Sequence, residues 1–283
     1  MKISLFVPHN NFLEELEGEL TKLGHEVLKN KCTGGSDVIL ITSSSVLHAG
    51  HEVRRDFPNI PLITYNWDWY DHLDKTTGYW PQWIDLMRMS FEVWSASEIT
   101  AKKCEKDTGI KSPHWMYAYI LPDEWIGEAT DGGYIMQASR DDAYKRFAWF
   151  KEAACENNIP HKAYHPNQNI RPDYINAIQN CSFLCVCSEE ESLGTLSAME
   201  ASFNAKPVLI SDFEGAKETW EDDVWYFKKD SLDDLKAKMK WLWDNKDTKE
   251  VKEKAKRAQK KVQERFLPQH FAKLIDERLK KIL

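Results

Sequence analysis

Short apolar runs and amphipathic segments take turns along nearly the whole chain, and this alternation limits the fold more than any other feature. The run Ile3 to Val7 predicts a buried strand, and Phe12, Leu13, Leu16, Leu20 and Leu23 then recur at steps of three and four, marking one face of a helix. Gly24 is placed to end that helix in the left-handed conformation that glycine adopts without penalty. Strands are predicted at His25–Leu28, Asp37–Thr42, Pro61–Tyr65 and Phe91–Ser95, with a helix from Ser97 to Thr108. A second series follows Asp131-Gly132-Gly133: strands at Tyr134–Ala138, Lys162–Tyr164, Phe183–Cys187, Pro207–Ile210 and Val224–Phe227, separated by helices at Ala143–Asn157, Pro172–Gln179 and Thr195–Phe203. The chain from Ser231 onward reads as helix. Such alternation predicts an α/β protein with two Rossmann-like, doubly wound domains facing each other across a cleft, with ligands at the carboxyl ends of the strands.

The formal charge of −7 on 283 residues excludes a protein whose whole surface grips nucleic acid or anionic lipid. No apolar run approaches the roughly 20 residues that span a bilayer, and the first residues are too short for a signal peptide, so a cytoplasmic protein is expected. Six cysteines lack the paired spacing of a zinc site and read as free thiols; Cys185 and Cys187 lie two apart, on one side of a strand.

Two segments carry candidate chemistry. Ser188 to Ala201 follows a buried strand and opens a helix, with Gly194 at a point of close backbone approach, read as approach to a ligand. Amides at a helix start suit a phosphate, and Glu200, farther along, offers a carboxylate to vicinal hydroxyls; a solvated acidic turn capping a helix accounts for the same spacing. Ser139 to Arg146 also runs from strand to helix, and Arg140 and Lys145, five apart, are placed to converge on one diphosphate or to be ordinary surface cations.

Taken together these segments resemble the retaining, nucleotide-sugar-dependent glycosyltransferases of the GT-B fold, in particular family 4. The family's Gly-Arg turn with a lysine five residues on is matched by Ser139-Arg140 and Lys145, serine replacing glycine. Its Pro-Ser, glutamate, glycine-rich turn, second glutamate and Pro-Val are matched by Cys187-Ser188, Glu191, Ser192-Leu193-Gly194, Glu200 and Pro207-Val208. The resemblance implies that Arg140 and Lys145 bind and stabilise the leaving diphosphate, Glu200 holds the donor ribose and Glu191 the hexose hydroxyls. The backbone of Gly194, Thr195 and Leu196 would then lie by the phosphates, and His165 would meet the nucleobase or be a plain surface histidine. It further implies a donor such as UDP- or GDP-hexose, a saccharide or other hydroxyl acceptor, and neither cofactor nor metal. Implied domains are 1–125 on the acceptor side and 126–265 on the donor side, with 266–283 a helix returning to the first domain; the chain is a short version of the fold.

The two glutamates are nine residues apart where the family has eight, which leaves open whether Glu191 or Ser192 faces the sugar. Pro8-His9-Asn10-Asn11 replaces the family's glycine pair, and Thr64-Tyr65-Asn66-Trp67-Asp68 stands where a histidine often lies. Asn10, Asn66 and Asp68 are therefore the sugar-side candidates. Trp67, Trp69, Tyr70, Trp80 and Trp83 either stack on a sugar or fill the core. Residues 251–283 hold eleven Lys and Arg against four Asp and Glu. That strip is a solvated helix face or a peripheral membrane or nucleic-acid contact, with Phe271, Leu274, Ile275, Leu279 and Ile282 docked on protein and Lys273, Arg278, Lys280 and Lys281 facing water. An inactive binding protein of the same fold and a sugar-nucleotide epimerase are the competing readings.

Overall fold

Parallel sheets form where the apolar runs lie. The computed structural model describes residues 1–7, 10–43, 46–67, 79–112, 114–115, 119–139, 142–164 and 171–283. Contacts divide the chain into two units, Met1–Leu121 with Leu267–Leu283, and Pro122–Phe266. Residues 122–125 therefore belong to the second unit rather than the first, and the returning segment begins at Leu267.

The first unit runs β1 (Lys2–Phe6), α1 (Asn10–Lys22), β2 (Glu26–Lys29), β3 (Val38–Ile41), α2 (Leu47–Asp56), β4 (Leu62–Asn66), α3 (Trp80–Arg88), β5 (Glu92–Ser95), α4 (Glu98–Thr108) and β6 (His114–Trp115). Its six strands are ordered β2-β1-β3-β4-β5-β6, all neighbours parallel. Every residue of β3 and β4 is buried, as expected of strands covered on both faces. Gly24 adopts φ 87° just beyond α1. The pattern did not signal α2 or α3, both short.

The second unit comprises β7 (Ile135–Ala138), α5 (Phe147–Glu156), β8 (His161–Tyr164), α6 (Arg171–Asn180), β9 (Phe183–Val186), α7 (Leu196–Phe203), β10 (Val208–Ser211), α8 (Glu214–Trp220), β11 (Trp225–Phe227), α9 (Leu232–Asn245) and α10 (Lys249–Arg265). The strand order is β8-β7-β9-β10-β11, again parallel. Each unit's second strand lies to one side of its first and the later strands to the other, so each sheet has a switch point beside its first strand. The helix expected from Ala143 begins later: Ala143–Lys145 is a 3-10 turn, Arg146 takes a left-handed φ of 49°, and α5 starts at Phe147.

The last helix, α11 (Pro268–Ile282), packs on α1 in the first unit. Phe271, Ile275 and Leu279 are buried along it, and Phe271 lies 5.7 Å from the Tyr65 ring and 5.3 Å from that of Tyr119. Polar anchors fix its register. Buried Asp276 meets His25 Nε2 at 3.0 Å, and Arg278 does not face water: its Nε donates to Glu92 Oε2 at 2.9 Å, on a carboxylate that also accepts from Trp94 Nε1. Among the described residues, no helix is long and apolar enough to cross a membrane.

Candidate functional site

The switch point of the second sheet lies between β7 and β9, where the chain leaves adjacent carboxyl ends toward Asp142–Arg146 in one case and Ser188–Thr195 in the other. Crevices for ligands open at such points because the connections diverge to opposite faces. The Glu189 amide donates to the Tyr144 carbonyl at 2.8 Å, joining the two loops. From inside β7, Gln137 Nε2 donates to the Lys145 carbonyl at 2.9 Å and to Ser139 Oγ at 3.2 Å, closing the first loop from beneath. Arg146 reaches from its left-handed position to Glu189, to Asp230 and to the Lys229 carbonyl, and lies over the Trp149 ring. Those contacts explain the delayed start of α5: the guanidinium ties three loops to one edge, and the backbone turns to allow it.

Lys145 and Glu191, from the two loops, form an ion pair with side chains only 14% and 8% exposed. Burial works against the ammonium, but the Glu191 charge and the phenolic group of Tyr144 hold the Lys145 pKa above the ordinary lysine value. A cation and a carboxylate are thus set at the mouth of the switch point, each able to exchange the other for a ligand group of opposite charge.

Gly194 is required by its packing against a neighbouring helix. A Cβ there would stand 2.2 Å from Trp220 Nε1 and 2.8 Å from Thr219 Cβ. Its amide donates to Thr219 Oγ1 and its carbonyl accepts from Trp220 Nε1, both at 2.9 Å. The close approach is to α8, so the Gly194 amide is committed within the protein. Thr195 caps α7, its Oγ1 accepting from the Ala198 amide, with φ 60° and ψ 141°. Such backbone strain in a non-glycine residue persists only where neighbours over-determine it, and here α8 does so. Leu196 opens the helix, whose first-turn amides lack intrahelical acceptors. Ser192 is buried in the same loop.

Glu200 sits just over one turn into α7 and is nearly buried. Its Oε1 accepts from Arg171 at 2.7 Å and its Oε2 from the Tyr174 hydroxyl, both on α6. Burial pushes the Glu200 carboxyl up in spite of these donors. Arg171 also bonds Glu124 and lies over the Tyr174 and Trp125 rings at 4.9 and 5.6 Å.

Asn66 ends β4 in the first unit. Its Oδ1 accepts from Trp83 Nε1 at 3.3 Å, and its amide nitrogen is buried without a partner among the described residues. Trp83 is thereby a core residue, with Trp80 packed against the same cluster. Asp68, Trp69, Tyr70, Arg140, His165 and the side chain of Asn10 lie outside the described residues. Cys185 in β9 and Cys187 just beyond its end hold their Sγ atoms 3.6 Å apart and are buried free thiols. Among the described residues there is no group of three or more His, Cys, Asp or Glu that could hold a metal ion. On α10, Lys252, Arg257 and Lys261 pair with Asp247, Asp223 and Asp223 respectively.

Gln137, Arg146, Arg171 and Tyr174 were not singled out from the sequence. A glutamine within an apolar strand was the available signal for the first, and the three-residue spacing of Arg171 and Tyr174 on one helix face for the last two.

Two parallel α/β units with these strand orders form the fold of the GT-B glycosyltransferases. The chain aligns with HepE of Anabaena, solved in complex with UDP-glucose, at TM-score 0.73 and 14% identity, covering 99% of this chain and 100% of that one. It aligns with sucrose-phosphate synthase of Thermosynechococcus elongatus at TM-score 0.74 and 11% identity, over 100% and 99% of the two chains. A glycosyltransferase from Rickettsia africae aligns at 0.72 and 13%, over 99% and 98%. The family model for glycosyl transferases group 1 matches residues 144–264, a span that contains Lys145, Glu191, Gly194 and Glu200. No curated protein matches the sequence.

Proposed function

We propose that this protein is a retaining glycosyltransferase that moves a hexose from a nucleoside-diphosphate sugar to a hydroxyl of a saccharide or other acceptor. The observation that carries the reading is the Lys145–Glu191 pair at the switch point, inside the span matched by glycosyl transferases group 1. The UDP-glucose complex of HepE, of the same fold, supports a uridine or related donor.

In this reading the diphosphate displaces Glu191 from Lys145, and the ammonium neutralises charge as the phosphate leaves the sugar. Arg140 is assigned to the same task, and the pair supplies the charge that a divalent ion supplies in other transferases. Glu191, released, accepts a hexose hydroxyl, with Ser192 beside it. Glu200 accepts the ribose hydroxyls, the amides that open α7 at Leu196 approach the phosphates, and His165 meets the base. Gly194 and Thr195 shape the loop. Asn66, whose amide nitrogen is buried without a partner among the described residues, is assigned to the acceptor side together with Asn10 and Asp68. Attack from the face that the phosphate leaves retains the anomeric configuration, the departing phosphate taking the acceptor proton.

A thermal-shift panel of UDP, GDP, ADP and TDP and their hexoses tests the reading, because a ligand of the folded state raises its melting temperature. At least one diphosphate should shift the transition, and its sugar should turn over to a product of retained configuration. No shift and no hydrolysis or transfer with any donor would refute it.

A further inference from the structure

The carboxylate of Glu200 does not stand alone. It is set from behind by two donors spaced three residues apart on α6, Arg171 to Oε1 and Tyr174 to Oε2. Arg171 is in turn fixed by Glu124, from the 3-10 turn Pro122–Glu124, and by the faces of Trp125 and Tyr174. Trp125 is itself buried and packs edge-on against Tyr174 at 6.4 Å. An ionised carboxylate has about four acceptor sites. Among the described residues, the two protein donors occupy one on each oxygen and leave one on each, an arrangement matched to two adjacent hydroxyls. Desolvation favours the neutral form of a carboxyl this buried, and a neutral carboxyl would lose an acceptor site and gain a donor. A fixed guanidinium opposes that change.

We propose that Arg171 and Tyr174 are positioning residues that hold Glu200 as a paired acceptor for a vicinal diol, so that the bound nucleotide is selected as a ribonucleotide. Neither residue touches the nucleotide; both act through Glu200. The inference rests on the assignment of Glu200 to the donor ribose made above, and it adds the residues on which that contact depends.

Calorimetric titration of the full chain with UDP and 2′-deoxy-UDP, and with the guanosine and adenosine pairs, tests it. In the unaltered protein the ribonucleotide of the favoured base should bind about tenfold or more tightly than its deoxy form, the range of a charge-assisted hydrogen bond. Arg171→Met should weaken the ribonucleotide by about tenfold and the deoxynucleotide far less, closing the gap, whereas Arg171→Lys should restore part of it. Tyr174→Phe, which removes one hydroxyl and little volume, should narrow the gap by about fivefold and keeps the test open if Arg171→Met does not fold. Binding of inorganic pyrophosphate should be the same in all variants. A folded variant that keeps the ribose preference of the unaltered protein overturns the positioning role and leaves the transferase reading intact. An unaltered protein that binds no nucleoside diphosphate overturns both.

Discussion

Replacing Glu191 by glutamine should have two effects of opposite sign, because the carboxylate and the donor diphosphate compete for Lys145. The pair is worth more than an exposed ion pair, at roughly 0–1 kcal/mol, since both side chains are largely buried. It is worth less than a fully enclosed one, whose disruption costs about 3–5 kcal/mol. A value of about 1–2 kcal/mol lies between these. A ligand that takes over Lys145 must meet that cost in the unaltered protein and escapes it in Glu191→Gln. At about 1.4 kcal/mol per tenfold, the dissociation constant of the nucleoside diphosphate should fall by roughly five- to thirtyfold. Lys145→Met removes the cation itself, and the same constant should rise by roughly ten- to a hundredfold, as expected for loss of a charged hydrogen bond. Transfer from the sugar nucleotide should fall in both variants, because in Glu191→Gln the hexose loses its charged acceptor. Titration calorimetry with the diphosphate, alongside a transfer assay, separates the two. If Glu191→Gln binds the diphosphate as weakly as Lys145→Met, then Glu191 orients the lysine rather than competing for it, and the exchange is refuted.

Gly194→Ala should destabilise the second unit by about 1–3 kcal/mol through overpacking, since its Cβ would collide with the Trp220 indole; urea unfolding measures it, and an unchanged midpoint would mean that α8 yields freely. Asp276 lies below the ordinary carboxylate range: burial opposes ionisation, but Lys280 and His25 outweigh it. Its contribution to stability is therefore complete above the unfolded value and lost as pH falls through the lower folded one, so Asp276→Asn should cost about 1–3 kcal/mol at pH 7 and much less in strong acid, read by thermal unfolding at both. Asp131 is partly exposed; burial opposes its charge, yet Lys246, Ser182 and the Gly133 amide bring its pKa down to about 2. After allowance for solvent screening, Asp131→Asn should lose about 1 kcal/mol at neutral pH, and the difference should vanish as pH falls from about 4 toward 2.

Much of the architecture could be read directly from residue order. Strands buried on both faces must be nearly all apolar, so β3, β4 and β9 announce themselves, and the helix stripe ending at Gly24 has a period that only a helix satisfies. That Lys145 and Glu191 lie on loops following strands was legible, although no spacing along the chain could say that they touch. Only the tertiary structure decided that Gly194 packs against Trp220, that Arg278 turns inward to Glu92, and that Arg171 and Tyr174 donate to Glu200. Periodicity records which face of an element avoids water and is local by nature. The partner of a buried polar group is chosen by strand order and crossover, which bring together residues as distant as Glu92 and Arg278, and no pattern within either segment carries that information.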